Sequence, residues 1–233
     1  IPIKYYDKYG KSVKKPEYSK PIPKGVTAQT VIDNYFKAIG GKDAVAKVKS
    51  LKLSGDMNAM GQVMGIVMKK MTPNKEKIEV SHPQMGTVMK DVFNGDTGYA
   101  EQMGQKVIKT ADQISEAKNK NSLFEELTLD MSKVSLESVT SINGEDAYKL
   151  KIDGSKNPSY RFYSTKTGYL VKTEGTIETG GQKATDSYEF DNYVTTNGIK
   201  FPYNQTRKVG PQTLGITIKK IVVNDDVTDA DFN

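Results

Sequence analysis

Five of the nine methionines lie within residues 57–71, and their thioether groups are the first candidates for chemistry. This stretch, MNAMGQVMGIVMKKM, contains Met57, Met60, Met64, Met68 and Met71 at intervals of three, four, four and three residues. Thioethers bind Cu(I), but such sites usually include histidine or cysteine, and neither occurs nearby. Two interpretations remain open: methionines that fill an irregular core, and a flexible apolar surface or cavity for a ligand.

The sequence contains no pattern typical of a catalytic or metal centre. His82 is the only histidine, and it precedes Pro83 in a polar context typical of a surface position. Zinc-peptidase, nucleophile-elbow and phosphate-binding glycine motifs are all missing. The chain also has no cysteine, which excludes thiolate ligands, disulfides and a cysteine nucleophile. We therefore expect no catalytic residue, no metal and no cofactor.

Acidic residues are the remaining candidates for chemistry. The C-terminal stretch NDDVTDADFN lacks the glycine and the final glutamate of an EF-hand loop, so a solvated turn is favoured over a calcium site. Its carboxylates are Asp225, Asp226, Asp229 and Asp231. Asp186 and Glu189 have the chemistry of an acid and base pair, but their spacing places them on opposite faces of a strand.

The positive charge of the chain is concentrated near the N-terminus. The formal net charge is +6, and residues 1–25 supply +5 of it through seven lysines against Asp7 and Glu17. Only Arg161 and Arg207 supply guanidinium groups, which is not typical of a nucleic-acid-binding face. We expect no nucleic-acid partner and at most peripheral membrane contact.

The elements that position these residues begin with an extended segment and a helix. Residues 1–25 are rich in lysine and proline and predict an extended linker, with a short strand near IKYYD, ahead of a domain over residues 26–233. Thr27 is a predicted N-cap, and Gly40 a predicted C-cap, of a helix with one apolar face. DAVAKVKS, from Asp43, predicts a second short helix.

The methionine stretch itself predicts a strand rather than a helix. A helix would place Gly61 and Gly65 in its interior, at about 1 kcal/mol each relative to alanine, and it would have no N-cap. The preceding residues LKLSGDM alternate apolar and polar as a half-buried strand does. We therefore predict a hairpin with its tip at Asn58–Ala59 and a stripe of Met60, Met64 and Met68 on one face.

The rest of the chain predicts antiparallel sheet with one helical interruption. Capping-box spacing at Thr110 and Ser122 predicts helices over residues 111–119 and 123–130. After these, alternating segments are separated by turns such as Asn143–Gly144 and Asn197–Gly198. The prediction is an α+β fold, with about ten strands in a large antiparallel sheet and helices on one side.

Strand alternation also selects residues that would line an apolar ligand site. A methionine-rich wall from the first half would face an aromatic wall from the second half. The predicted lining residues are Met60, Met64, Ile66, Met68, Ile78, Val80, Met89, Phe93, Tyr148, Leu150, Phe162, Tyr188 and Phe190. A register error of one residue would move any of these sets to the opposite face.

The order of elements resembles a known family of envelope proteins. A capped helix ending in AIGGKDAVAKVKSLKLSG, a helical insertion, a strand with NGIKFP and an ending near VTDADF resemble LolA and related lipoprotein-sorting proteins over about residues 27–233. The resemblance implies a half-open barrel whose concave apolar face is covered by helices. It also implies a non-catalytic periplasmic or envelope module that binds lipoprotein acyl chains or another apolar molecule.

The N-terminal IKYYDKYGKSV and the segment after it resemble a second arrangement. They are similar to the junction that follows the catalytic region of Bacteroidetes insulinase-type (M16) zinc peptidases. This resemblance implies that the chain is a C-terminal accessory domain that holds a substrate or partner and has a filled interior. The metal motif of those peptidases is absent, so no catalytic residue carries over.

Overall fold

The computed structural model describes residues 5–6, 12–13, 19–59, 61–119, 122–154, 157–179 and 182–233. Within these residues the helices are α1 (Ala28–Ile39), α2 (Lys42–Ala46) and α3 (Ala111–Lys118). Single turns of 3-10 helix span Glu125–Leu127, Met131–Lys133 and Asp229–Phe232. None of the helices described is long and apolar enough to cross a bilayer.

The strands make up most of the chain and are numbered here in chain order. They are β1 (Tyr5–Tyr6), β2 (Ser12–Val13), β3 (Ser19–Lys20), β4 (Ser50–Ala59), β5 (Gln62–Met71), β6 (Lys75–His82), β7 (Gly86–Phe93), β8 (Gly98–Gln102), β9 (Gln105–Ile108), β10 (Val134–Ile142), β11 (Glu145–Ile152), β12 (Ser159–Ser164), β13 (Leu170–Thr179), β14 (Gln182–Thr196), β15 (Ile199–Val209) and β16 (Gln212–Val223).

Fourteen of the described strands form one antiparallel sheet. Its order is β3-β10-β11-β12-β13-β14-β15-β16-β4-β5-β6-β7-β8-β9, and β1 pairs only with β2. The sheet is not closed, because β3 and β9 are its two edges. The fold class is as predicted, but the sheet has more than the ten strands expected, because short pairings such as β8–β9 extend it.

Helix α1 packs on one face of this sheet, which we call the inner face. Val31, Ile32, Tyr35, Phe36 and Ile39 are buried against residues of β4, β11, β12, β15 and β16. Thr27 caps α1 through a reciprocal capping box with Thr30, as its sequence position predicts. Burial of this apolar stripe stabilises the helix against the sheet, because each large side chain contributes about 1.5–3 kcal/mol.

Gly40 lets the end of α1 approach the sheet closely. Its φ is +125°, and a Cβ at this position would lie 2.4 Å from the carbonyl oxygen of Gly198, in the β14–β15 turn. Only glycine meets both conditions without strain. The AIGG sequence is therefore explained by contact between a helix end and a hairpin turn.

The helix predicted over residues 123–130 is wrong. Residues 122–133, which we call the bridging segment, contain no α-helix. Only Glu125–Leu127 and Met131–Lys133 are helical there, each as one 3-10 turn. The hydroxyl of Ser122 accepts from the amide of Phe124, which is a local turn and not a capping box. In contrast, the capping box of Thr110 and Gln113 does begin α3.

The acidic C-terminal stretch is fastened to the outer face by ion pairs. Lys52 binds Asp226, Lys69 binds Asp231 and Lys75 binds Asp229. Phe232, next to these carboxylates, is only 1% exposed. The stretch is therefore a clamp over β4–β6 rather than the solvated turn expected, and no cluster of potential metal ligands occurs among the described residues.

Candidate functional site

Strand pairing places an apolar surface on the inner face of β4–β7. Met57 pairs with Met64, Gly55 with Ile66, and Leu53 with Met68. Directly paired residues of antiparallel strands point to the same side of a sheet. The ladder continues through β6 and β7, so the inner apolar surface comprises Met57, Met64, Ile66, Met68, Ile78, Val80 and Met89.

The hairpin turn differs from the predicted one and changes the methionine stripe. Strand β4 continues through Asn58 and Ala59, and the turn falls after them. Met57 therefore shares the inner face with Met64 and Met68, although its sequence parity predicted otherwise. Met71 pairs with Ser50 and Lys75 on the outer face, and Met60 lies outside the described residues.

The inner apolar surface lies beyond the main core. Ile66 and Val80 are buried, but they are not part of the cluster that α1 covers. The core reaches the surface only through partly buried Met68 and neighbouring Ile216. Met57, Met64 and Ile78 are half-buried, and Met89 is 37% exposed. These side chains are therefore accessible in part, unlike those beneath α1.

Aromatic and charged side chains on β14 and β15 form a second wall. Tyr188 stacks on Phe190, with ring centroids 6.2 Å apart and planes 9° apart. The guanidinium of Arg207 lies 5.2 Å from the Tyr188 ring centre. It donates two hydrogen bonds of 2.9 Å to Asp186, which raises the pKa of Arg207. This wall offers a flat aromatic contact beside a fixed ion pair.

Lys70 brings charge close to both walls. Its ammonium nitrogen lies 2.8 Å from Glu76 Oε1. Burial lowers the pKa of Lys70, but the charge and hydrogen bond of Glu76, with smaller contributions from Glu125 and Tyr188, together raise the net pKa. β5 and β14 are four positions apart in the sheet, and Tyr188 still contributes to the raised pKa of Lys70, as expected of a curved sheet.

The bridging segment closes the inner face on the α1 side. Phe124 packs on Phe201 with ring centroids 5.9 Å apart. Glu126 is buried, and its Oε1 lies 2.5 Å from Nη1 of Arg161 and accepts a 2.9 Å hydrogen bond from the Tyr163 hydroxyl. Burial lowers the pKa of Arg161, but Glu126, Tyr163 and Glu125 together raise it above its ordinary value.

Several predicted lining residues lie elsewhere in the fold. Leu150 is completely buried in the main core, and Tyr148 packs against that core. Phe162 pairs with Lys149 and Lys172 and faces outward, because it alternates with Arg161 and Tyr163, which face inward. Phe93 is buried on the inner face, where it pairs with Glu76.

The remaining polar candidates have structural partners. His82 accepts a hydrogen bond of 3.2 Å at Nδ1 from the amide of Gln84. Asp186 binds Arg207, and Glu189 binds Lys208 at 2.7 Å, which lowers the pKa of Glu189. Asp186 and Glu189 do not meet, in agreement with their spacing.

Sequence reasoning missed the pair of Glu126 and Arg161. The sequence places Glu126 within the helix predicted over residues 123–130 and indicates no partner for it. One signal was available in SYRFYS: Arg161 and Tyr163 share strand parity, and this places the guanidinium on the same face as an aromatic core residue. Nothing local identified the carboxylate that binds it 35 residues away.

Two concave surfaces occur away from the inner apolar surface. One, of about 770 Å³, lies where α2 meets the β14–β15 turn, and its lining includes Lys42, Asn197 and Asn224. Another, of about 420 Å³, lies between α1 and the 165–168 turn. Both are shallow and rich in polar groups, and neither brings together residues with ligand or catalytic chemistry.

Comparison with known proteins identifies the fold. No protein-family model matches the chain, and no curated protein matches it. The LolA superfamily protein NE2245 from Nitrosomonas europaea is similar in structure, with a TM-score of 0.56, 11% identity, and 90% of this chain and 98% of that chain covered. A DUF1329 family protein from Desulfovibrio piger has a TM-score of 0.58 and 11% identity, with 88% of this chain and 96% of that chain covered. The chain therefore has a LolA-like fold, as its order of elements indicated.

Proposed function

We propose that the protein is a non-catalytic binding module of the cell envelope that holds a lipid-like or other apolar ligand on its inner apolar surface. Met57, Met64, Ile78 and Met89 supply flexible contacts. Each acyl methylene removed from water by such contacts contributes about 0.8 kcal/mol. Tyr188 and Phe190 form the opposite wall of the site.

The observation that carries the proposal is the partial exposure of an apolar inner face. Met57, Met64 and Ile78 point to the same side as the main core, yet they are only half-buried and lie outside the cluster that α1 covers. A filled interior would bury them to the extent of Leu150 or Tyr163. Unbranched methionine adapts to ligands of different shape, which suits acyl chains.

The charged groups beside this surface define the ligand further. Lys70, Glu76 and Arg207 lie at the edge of the apolar walls, and their charges are already paired. A long chain that ends in a polar group would place its chain on the methionines and its polar end near these ion pairs. We therefore favour an amphiphile over a pure hydrocarbon.

The partial exposure of the inner face also counts against the accessory-domain alternative, which the N-terminal residues suggest. A domain that only holds a peptidase substrate or partner would be expected to have a filled interior. Half-buried methionines on the inner face favour a ligand site instead. Attachment to an upstream peptidase remains compatible with ligand binding, because the inner face and the N-terminal residues are separate parts of the chain.

Binding of a fluorescent acyl probe tests the proposal. Dansyl-undecanoic acid should bind the protein, purified without detergent, in a saturable way, and native mass spectrometry should detect co-purified lipid. Met64→Gln should weaken probe binding about tenfold, because one thioether contact is replaced by a polar amide.

Met71→Gln is the matched control for this experiment. It makes the same substitution in the same strand, on the outer face, and should leave probe binding unchanged. Equal losses in the two variants would show that the probe binds outside the inner surface. A native protein that binds no acyl probe and carries no lipid would refute the proposal.

A further inference from the structure

Apolar side chains are exposed along one end of the sheet. Alternate turns of an antiparallel sheet lie at the same end, so the β4–β5, β6–β7 and β8–β9 turns are neighbours there. Val63, Met85 and Met103 lie at these turns and are 53%, 58% and 64% exposed. Edge strand β9 also exposes Val107 and Ile108, at 68% and 64%, farther from the turn. Val63, Met85 and Met103 form what we call the hairpin-tip surface.

The β4–β5, β6–β7 and β8–β9 turns, and the β15–β16 turn beside them, carry no charged residue, whereas the more distant β11–β12 turn at the same end contains Asp153. The segments 57–64, 81–89, 102–105 and 209–213 contain none, although 27% of the chain is charged. At the opposite end, by contrast, the turns contain or adjoin charged residues such as Lys75, Asp96, Glu145 and Lys166. These neighbouring tips therefore differ in chemistry from the turns at the opposite end, and the exposed methionines lie on the uncharged tips.

Met103 occupies a backbone position that disfavours it. The β8–β9 turn has two central residues, Met103 and Gly104, with φ values of +49° and +82°. The turns at Asn143–Gly144 and Asn197–Gly198 have nearly the same values, and there the first residue is asparagine. Asparagine adopts positive φ readily, whereas methionine does not. The chain thus places an exposed methionine where a polar residue would fold better.

A folding role does not explain this choice, because Met103 contacts solvent over most of its surface. Exposed apolar groups on uncharged, protruding turns are instead typical of contact with another apolar phase. Three hairpins side by side place their tips in a row about 20 Å long, given a strand spacing of about 4.8 Å. Single protruding side chains in a row fit a deformable, planar surface better than a shaped protein face, which needs a continuous patch.

We propose that the hairpin-tip surface docks the protein on a lipid bilayer, with Met85 and Met103 inserted at the level of the headgroups. Neutral amides on the same turns, from Gln62, Gln84 and Gln105, suit that polar layer. Electrostatic attraction to anionic lipid should be weak. The lysines behind the tips, Lys90 and Lys106, lie on either side of Glu101, whose negative charge partly offsets them. Insertion therefore dominates, and docking should occur on neutral lipid as well.

Docking at this end would also place the inner apolar surface near the bilayer. Met57 and Met64 lie on the strands that lead into the β4–β5 turn, and Met89 lies on the strand that leaves the β6–β7 turn. A bound amphiphile would then have a short path between the site and the lipid. The docking surface itself stands on exposure, charge and turn geometry, and it does not depend on the proposed ligand.

Vesicle partitioning tests the inference. The native protein should bind vesicles of phosphatidylcholine, with little gain when phosphatidylglycerol is added. Met85→Gln/Met103→Asn should lower the partition about tenfold or more, because two inserted side chains are lost. Met71→Gln, on the outer face at the opposite end, should leave it unchanged.

A tryptophan reporter gives a second measurement, since the chain has no tryptophan of its own. Met103→Trp should show blue-shifted emission with vesicles and quenching by brominated lipid. Asn143→Trp, in the equivalent turn at the opposite end, should show neither. An equal shift at both positions, or a partition unaffected by Met85→Gln/Met103→Asn, would overturn the inference.

Two further results separate this inference from its rivals. The native protein could instead be a dimer that does not bind vesicles and that Met85→Gln/Met103→Asn converts to a monomer. In that case a second copy of the chain covers the surface, and the inference fails. Acyl-probe binding without vesicles should be unchanged in Met85→Gln/Met103→Asn. Probe binding without vesicle docking would retain the proposed function and refute docking, and docking without probe binding would do the reverse.

Discussion

Arg161 and Glu126 meet in a buried ion pair that joins the bridging segment to strand β12. Nη1 of Arg161 lies 2.5 Å from Oε1 of Glu126, and the side chains are only 12% and 3% exposed. The Tyr163 hydroxyl donates to the same carboxylate oxygen. The pair lies beside the main core, since Tyr163 packs against Tyr35 of α1 with ring centroids 5.4 Å apart.

Breaking this pair should strongly destabilise the fold. Arg161→Met leaves the carboxylate of Glu126 buried without its main partner, so we expect a loss of about 3–5 kcal/mol in the free energy of unfolding. Urea denaturation measures it. Arg161→Met/Glu126→Leu removes both charges and should recover much of the loss. A double variant as unstable as the sum of its single variants would contradict this account.

Three buried tyrosines should resist ionisation in the folded protein. Burial, followed by the charge of Glu126, raises the pKa of Tyr35, Tyr163 and Tyr193 above the ordinary value of 10.0. A raised folded-state pKa contributes stability below the unfolded-state value, and that stability is lost as pH rises beyond it. The protein should therefore lose stability above about pH 10.

Ultraviolet titration at alkaline pH checks this expectation. The chain has thirteen tyrosines and no tryptophan, so absorbance of phenolate is easily resolved. A fraction of the tyrosines should ionise only at higher pH, together with loss of the far-ultraviolet circular dichroism signal of the strands. Complete titration of all tyrosines near pH 10 with the fold intact would show that Tyr35, Tyr163 and Tyr193 are not protected.

The C-terminal clamp should be sensitive to acid. The hydrogen bond from Lys69 lowers the pKa of Asp231 below 3.8. A lowered pKa contributes stability above the unfolded-state value, and this is lost as pH falls through the folded-state value. Asp231→Asn should therefore cost roughly 1–2 kcal/mol at neutral pH, and the difference from the native protein should shrink below about pH 4.

Denaturation of Asp231→Asn across this pH range provides the measurement. Asp112→Asn, in the exposed first turn of α3, is a suitable control and should change stability by only a few tenths of a kcal/mol. If Asp231→Asn and Asp112→Asn behaved alike at every pH, the clamp would contribute nothing through its charge.

Exchanging the turn residues Met103 and Asn143 should have opposite effects on stability. Met103→Asn should raise the free energy of unfolding by about 1 kcal/mol, because asparagine accepts a positive φ at lower cost. Asn143→Met should lower it by a similar amount. Urea denaturation of both variants measures the pair, and a destabilising Met103→Asn would show that Met103 has a folding role that its exposure conceals.

Local patterns predicted the elements that short-range physics controls. Thr27 and Gly40 set the ends of α1 because capping groups and positive φ act within one turn of chain. The glycines and alternation around the methionine stretch predicted a hairpin for the same reason. The turn shifted beyond Ala59, because strand ends depend on how long pairing with β16 continues.

Face assignments failed where the sequence does not fix the parity of one strand relative to its neighbours. Regular pairing with β11 places Phe162 on the outer face, between inward-facing Arg161 and Tyr163, and the turn position brings Met57 inward. Alternation carries information only up to the next bulge or turn, since one residue reverses every face after it. The predicted faces therefore agree with the strand pairing for β5, β6 and β11 and disagree for Phe162 on β12, while the ligand-lining role of these residues stays a prediction.

The sequence by itself determined an antiparallel α+β chain with a capped first helix, a methionine-rich hairpin and no catalytic motif. Only the tertiary structure decided that Glu126 reaches Arg161, that the C-terminal carboxylates bind lysines of β4–β6, and that the exposed turns gather at one end. These pairings join residues far apart in the chain. They depend on the curvature and strand order of the whole sheet, which no local preference of a single residue specifies.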